Sequence, residues 1–337
     1  MRPRVLCLDG GGIRGLSETL ILKELMLQVR IQNHLDYTPE PYECFDFICG
    51  TSTGGLLAVL IGRLGRTLNE CEALFRTLGF KIFEGGNLKQ TLRMLSTGSK
   101  HTSRGLSEVI REEAGDETMH RGDASESGKV PVAVVTISKT THDDYLFRSY
   151  GVRAGDEACP IVDACLATSA ATTFFPSVTI NGVEYVDGVF KKNNPSGAAL
   201  LELESTDWPM PLRDAVTGVE CLVSLGTGRP TFKRASSSTL LRLFPGAGSL
   251  KDAAILCIKI ATDCDEAHRA VENRFRKANM SDSYYRFDVD RGLEAVELNE
   301  SDNEALQMIS AVTKSYLKGR QTEVERCARS LKPRSSE

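Results

Sequence analysis

Three groups of residues in this chain have the types and spacing that chemistry needs. The first is Cys49-Gly50-Thr51-Ser52-Thr53-Gly54-Gly55, a Gly-x-Ser-x-Gly pentapeptide between the apolar runs 45–49 and 56–61. Strand, sharp turn and helix in that order are the setting in which such a serine becomes a raised nucleophile. Gly50 and Gly54 let the turn close around it. The second is Asp9-Gly10-Gly11-Gly12-Ile13-Arg14-Gly15, which follows the apolar run 4–8 and precedes a helical pattern over 16–29. Consecutive glycines let the N–H groups of Gly10, Gly11 and Gly12 turn inward as an anion-binding nest, and Arg14 adds a positive charge or holds the loop. A serine beside anion-binding amides suits acyl transfer. The third is Asp187-Gly188, at the end of a short run that begins after Asn181-Gly182, a hairpin turn signal. An aspartate there accepts the serine proton if the two loops meet; otherwise it only opens a turn.

Two rivals share these residues. Gly10, Gly12 and Gly15 satisfy the dinucleotide fingerprint after a strand. That fold also needs an acidic residue at the end of the second strand, and here the strand runs into Gly50-Thr51-Ser52. The chain order Ser52, Asp187, His268 matches a hydrolase triad. His268, however, lies in the helical pattern Ile255, Ile258, Cys264, Ala267, Val271, whereas a triad histidine usually sits on a loop. That argues against a histidine triad, and on the residues alone Asp187 stays open between a base for Ser52 and, more commonly for Asp-Gly, a turn residue.

The three motifs in this order resemble the patatin-like phospholipase family. Asp9 to Gly15 is similar to its oxyanion loop, Gly50 to Gly55 to its nucleophile motif, and Asp187-Gly188 to its catalytic aspartate motif. The stretches 164–176, Asn193-Asn194-Pro195 and 222–228 fit as well. One departure is Val189, where the family usually carries glycine or alanine. The resemblance implies a three-layer α/β/α sandwich with a mostly parallel central sheet. It also implies fatty acyl esters of phospholipids, lysophospholipids or other acylglycerols as substrates, hydrolysed with Asp187 as base, Ser52 as nucleophile and the glycine amides as oxyanion hole. No cofactor or metal is called for. The alternative is an inactive binding or effector module of the same fold.

Composition agrees with this. The 337 residues are 41% hydrophobic, enough for a sizeable core, and the net charge of -4 gives no reason to expect nucleic acid. Ten cysteines are scattered without a Cys-x-x-Cys pair, many inside apolar runs, which points to a reducing compartment. The expectation is a cytoplasmic protein that visits a membrane surface transiently. The fairly apolar stretch 45–64 is broken by glycines and charges and does not read as a span.

The elements that must position the site alternate. Strands are expected over 4–8, 45–49, 132–138, 145–149, 183–186, 221–225 and 284–289. Helices are expected over 16–29, 53–64, 69–78, 161–168, 195–203, 251–277 and 303–330. Alternation of this kind predicts a sheet covered on both faces. One domain over 1–331 is expected, with a motif core over 4–230, C-terminal helices and a strand over 250–331, and a disordered tail over 332–337. Residues 116–129 read as a surface loop. Two stretches, 81–103 and 231–250, interleave apolar and basic residues. Such stretches suit an interfacial lid, though a helix packed on the core is the favoured reading.

Overall fold

The computed structural model describes residues 2–83, 100–120, 130–151, 159–171, 176–228, 264–293, 296 and 303–334. Strand β1 (Arg4–Leu8) is buried at every position, as is β3 (Val132–Ser138). Continuous burial marks strands covered on both faces. The alternation of side chains divides them: Val5 and Cys7 enter one core cluster, Leu6 and Leu8 the other. Among the described residues the sheet has eight strands in the order β5 (Val178–Ile180), β6 (Val183–Asp187), β3, β2 (Phe47–Thr51), β1, β7 (Cys221–Leu225), β8 (Tyr284–Phe287), with β4 (Asp144–Arg148) also pairing β3. The β1–β2, β1–β7, β2–β3 and β7–β8 pairs are parallel. The three pairs that involve β4, β5 and β6 are antiparallel.

Helices flank both faces. On one, α1 (Gly15–Gln32) packs with α11 (Asn303–Gly319), α12 (Gln321–Ser330) and α4 (Leu68–Phe83). Also on this side are α2 (Pro41–Cys44), α3 (Thr53–Ala58), α5 (Lys100–Ala114) and α6 (Ile161–Thr168). On the other face, α8 (Ser196–Glu204) and α9 (Ala215–Gly218) pack with α10 (Asp265–Lys277). The short α7 (Val189–Lys192) follows β6 directly. The result is the expected three-layer α/β/α arrangement, with a mixed, mostly parallel sheet.

Several boundaries differ from the sequence reading, for local reasons. The strand expected over 45–49 begins two residues later, because Phe45 closes α2 by donating its N–H to Pro41 O. The Asn181-Gly182 turn forms with both residues at positive φ, 50° and 79°, and its upstream partner β5 was not expected. The helix expected over 53–64 is α only to Ala58, then widens into a π-turn over Val59–Arg63. The helix expected over 303–330 is two, separated at Arg320. Of the helix expected over 251–277, residues 251–263 lie outside the described residues. So do 231–250 and most of 81–103, the two candidate lid stretches. The helix α5 that begins within the second of these turns Leu106, Val109 and Ile110 into the core. Lys332 and Arg334, read as the start of a tail, are held: Arg4 donates to Lys332 O, and the Arg334 N–H bonds Glu43 O.

Candidate active site

The register of β3 brings the serine and the aspartate together. Thr51, the last residue of β2, pairs with Val135. Asp187, the last residue of β6, pairs with the next position, Thr136. Strand β4 occupies the other edge of β3 across Ala133–Ile137. β6 can therefore pair only on the edge that β2 has just vacated at its turn. Two strands that arrive from opposite directions thus end face to face on one edge. Gly188 makes this close approach tolerable, because a Cβ there would lie 2.7 Å from Val135 O. The Thr51 hydroxyl donates to Lys192 O at 2.7 Å and ties the end of β2 to the end of the short helix that follows β6.

Ser52 stands between β2 and α3 with φ 54° and ψ -124°, a conformation that costs a non-glycine residue on the order of 1–3 kcal/mol. Neighbouring contacts impose it. The Ser52 N–H donates to Thr168 Oγ1 at 2.9 Å, and that hydroxyl donates to Val135 O at 2.6 Å. A side chain at Gly50 would strike the Gly54 carbonyl, and one at Gly54 would strike the Leu8 and Asp9 carbonyls. Both glycines are therefore required for space, while the positive φ falls on the serine itself.

The Ser52 hydroxyl donates to Asp187 Oδ2 at 2.8 Å. Asp187 is 1% exposed. Its other oxygen accepts the Val189 N–H at 2.8 Å. Burial pushes its carboxyl up to about 7, against the pull of the Val189 and Ser52 hydrogen bonds. Val189 thus supports the carboxylate through its backbone, and its side chain is buried. His268 is elsewhere: its Nδ1 lies 2.9 Å from the Tyr284 hydroxyl, and its ring stacks on that tyrosine.

The triple-glycine loop abuts the serine, since a Cβ on Gly10 would approach Ser52 Cβ to 2.9 Å. Two of its amides are occupied: Gly10 N–H by Asn193 O at 3.3 Å, and Gly11 N–H by Thr53 Oγ1 at 3.0 Å. The Gly12 amide has no partner among the described residues, and Gly12 takes φ 58°. Arg14 is 3% exposed with its Nε unpartnered among the described residues. Burial lowers its pKa while the charge of Asp288 works against that. The Gly10 carbonyl accepts from Asn193 Nδ2 at 3.2 Å and from the Thr227 hydroxyl at 3.0 Å. Nothing in the sequence alone marks Thr168, Asn193 or Thr227 for these roles. Each lies in a stretch that fits the family, but nothing local marks which atom it holds.

Fold and site together define a class: a three-layer α/β/α protein with a serine on a strand-to-helix turn, hydrogen-bonded to a buried carboxylate. The chain belongs to the patatin-like phospholipase family, whose model matches residues 6–200. It is 30% identical over 338 residues to calcium-independent phospholipase A2-gamma of Oryctolagus cuniculus, covering 97% of this chain and 39% of that protein. It is 32% identical over 229 residues to the cGAMP-activated phospholipase of Pseudomonas aeruginosa, covering 66% of this chain and 63% of the relative. The chain thus spans about two fifths of the phospholipase A2-gamma length. A solved structure of VipD from Legionella pneumophila aligns over 94% of this chain and 67% of its own at a TM-score of 0.39 and 11% identity, too slight a likeness to carry weight. No described helix is long and apolar enough to cross a membrane.

Proposed function

We propose that this chain is a serine acyl hydrolase that cleaves fatty acyl esters of phospholipids, lysophospholipids or related acylglycerols. The single observation that carries the reading is the 2.8 Å hydrogen bond from Ser52 to a buried Asp187 carboxylate. Asp187 takes the hydroxyl proton as Ser52 Oγ attacks the ester carbonyl. The oxyanion falls to the glycine loop, where the Gly12 amide is the donor with no other partner among the described residues. Gly10 and Gly11 shape that loop, and Arg14 backs it from the interior. Collapse of the tetrahedral intermediate expels the alcohol, which takes the proton from Asp187, and leaves Ser52 acylated. Asp187 then takes a proton from water, whose oxygen attacks the acyl-enzyme, and returns that proton to Ser52 as the fatty acid leaves. An aspartate near its reference pKa of about 4 is a poor base for this work, and burial supplies the correction. No step calls on a metal. The family and the names of the relatives support the lipid substrate class, and the chain would meet such substrates peripherally at a membrane surface from the cytoplasm.

The test is turnover of a soluble ester and of phospholipid vesicles, with labelling by a fluorophosphonate. Ser52→Ala is expected to lose both activities and the label, and Asp187→Asn to lose turnover while staying folded. Wild-type turnover in Ser52→Ala would refute the assignment.

A further inference from the structure

We infer that Arg286 is a positioning residue for the oxyanion loop, holding Asp9, and through it Gly10, against the ends of β7 and β8. The inference rests on the proposed reading of Ser52 and the glycine loop.

Arg286 lies on β8, outside the family match and outside every motif of the sequence reading. Its guanidinium spans three elements. Nη2 donates to Asp9 Oδ2 at 2.7 Å and to Asp288 Oδ2 at 3.1 Å, and Nη1 donates to Ser224 Oγ at 2.8 Å. Each partner leads to Gly10. Asp9 is its chain neighbour. Asp288 accepts the Gly228 N–H at 2.8 Å and so fixes the turn that carries Thr227, whose hydroxyl grips the Gly10 carbonyl. Ser224 Oγ accepts from Asn194 Nδ2 at 3.3 Å, beside Asn193, which bonds Gly10 through both its carbonyl and its side chain. Every described clamp on Gly10 therefore converges on one side chain. The described partners of Arg286 include neither Ser52 nor Asp187.

The electrostatics require this arginine in particular. Asp9 is 1% exposed, and its Oδ1 has no hydrogen-bond partner among the described residues. Buried Glu18 accepts the Asp9 N–H at 2.8 Å, and burial holds its carboxyl well above the ordinary range. Among the described residues Arg286 is the cation bonded to Asp9, and it works against the burial that pushes that carboxyl up to about 6. Burial opposes its charge, but Asp9 and Asp288 outweigh that and raise its pKa. A planar fork reaches three oxygens in fixed directions; a lysine ammonium keeps the charge but not that geometry.

The experiment compares wild type, Ser52→Ala, Arg286→Lys and Ser224→Ala in steady-state hydrolysis of a soluble nitrophenyl ester and in the time course of fluorophosphonate labelling. For Arg286→Lys the expected fall in kcat is about 10- to 100-fold, the range that small misplacement of catalytic groups produces. KM is expected to stay within about twofold, since the lost interaction belongs to the transition state. Labelling is expected to slow in step and still reach the wild-type end-point. Ser224→Ala, which removes one acceptor and no charge, is expected to lose several-fold in kcat. Wild-type kcat and labelling rate in Arg286→Lys would overturn the inference, as would a loss seen only as a lower end-point with the labelled fraction reacting at the normal rate. If Arg286→Lys does not fold, Ser224→Ala decides: a several-fold fall supports the inference and an unchanged kcat overturns it. Turnover surviving in Ser52→Ala would instead sink the nucleophile assignment, whereas inactive Ser52→Ala beside fully active Arg286→Lys sinks this inference alone.

Discussion

Asp187 is enclosed between the Val189 amide and the Ser52 hydroxyl, and burial lifts its carboxyl to about 7. Two consequences follow for pH. Only the ionised carboxylate accepts the serine proton, so kcat/KM for a soluble ester is expected to rise with pH through about 7 with a one-proton slope. A profile that is flat across that range would remove Asp187 from the base role. The second consequence is for stability. The folded-state pKa lies above the ordinary 3.8, so the native state holds a proton that the unfolded chain has released between 3.8 and about 7. Stability contributed by this group is therefore present below 3.8 and is lost as pH rises through that window. Asp187→Asn removes the titration and keeps an oxygen for the Val189 amide. Its stability relative to wild type, measured by urea unfolding, is expected to climb across the window and level off above it. A difference that does not change with pH would contradict the burial argument.

At the scale of the element, α3 approaches β1 so closely that the chain itself sets the spacing. Gly54→Ala would drive a methyl group into the Leu8 and Asp9 carbonyls. Overpacking of this kind costs about 1–3 kcal/mol, and here it would also shift Ser52 against the glycine loop. A lower thermal midpoint together with lost turnover is the expected outcome. Gly197 in α8 makes the opposite case, with nothing within 4 Å of an added Cβ. Gly197→Ala is expected to raise stability by up to about 1 kcal/mol, through helix propensity alone. If the two substitutions move the midpoint equally, close approach is not what selects glycine at position 54.

At the scale of the whole molecule, the family match ends at residue 200, but the sheet does not. Strand β7 completes the free edge of β1, and β8 extends it. Helices α11 and α12 cover α1, and α10 packs on α8. A fragment ending at residue 200 is expected to show no cooperative thermal transition in circular dichroism, because β1 would become an uncovered apolar edge. A sharp transition in that fragment would show that the C-terminal two fifths is an accessory.

The sequence by itself determined the local pieces. Apolar runs of strand length and the glycine turns were legible, and 4–8, 132–138 and 221–225 form strands with the expected bounds. The Asn181-Gly182 turn was legible because two adjacent positive φ values demand such residues. Ser52 and Gly10 to Gly12 could be singled out because their chemistry and their tight turns are written in the same few residues, whereas Asp187-Gly188 alone reads as a turn and stood out only through the family resemblance. Only the tertiary structure decided that Ser52 and Asp187, 135 residues apart, share a hydrogen bond. It likewise decided that Arg286, 277 residues from Asp9, bonds the Asp9 carboxylate. The physical reason is the same for both. Which strand end faces which depends on register along β3, and which arginine meets a buried carboxylate depends on where β8 joins the sheet. Pairings between distant segments of this kind leave no periodicity in the chain, and they exist only once the sheet has assembled.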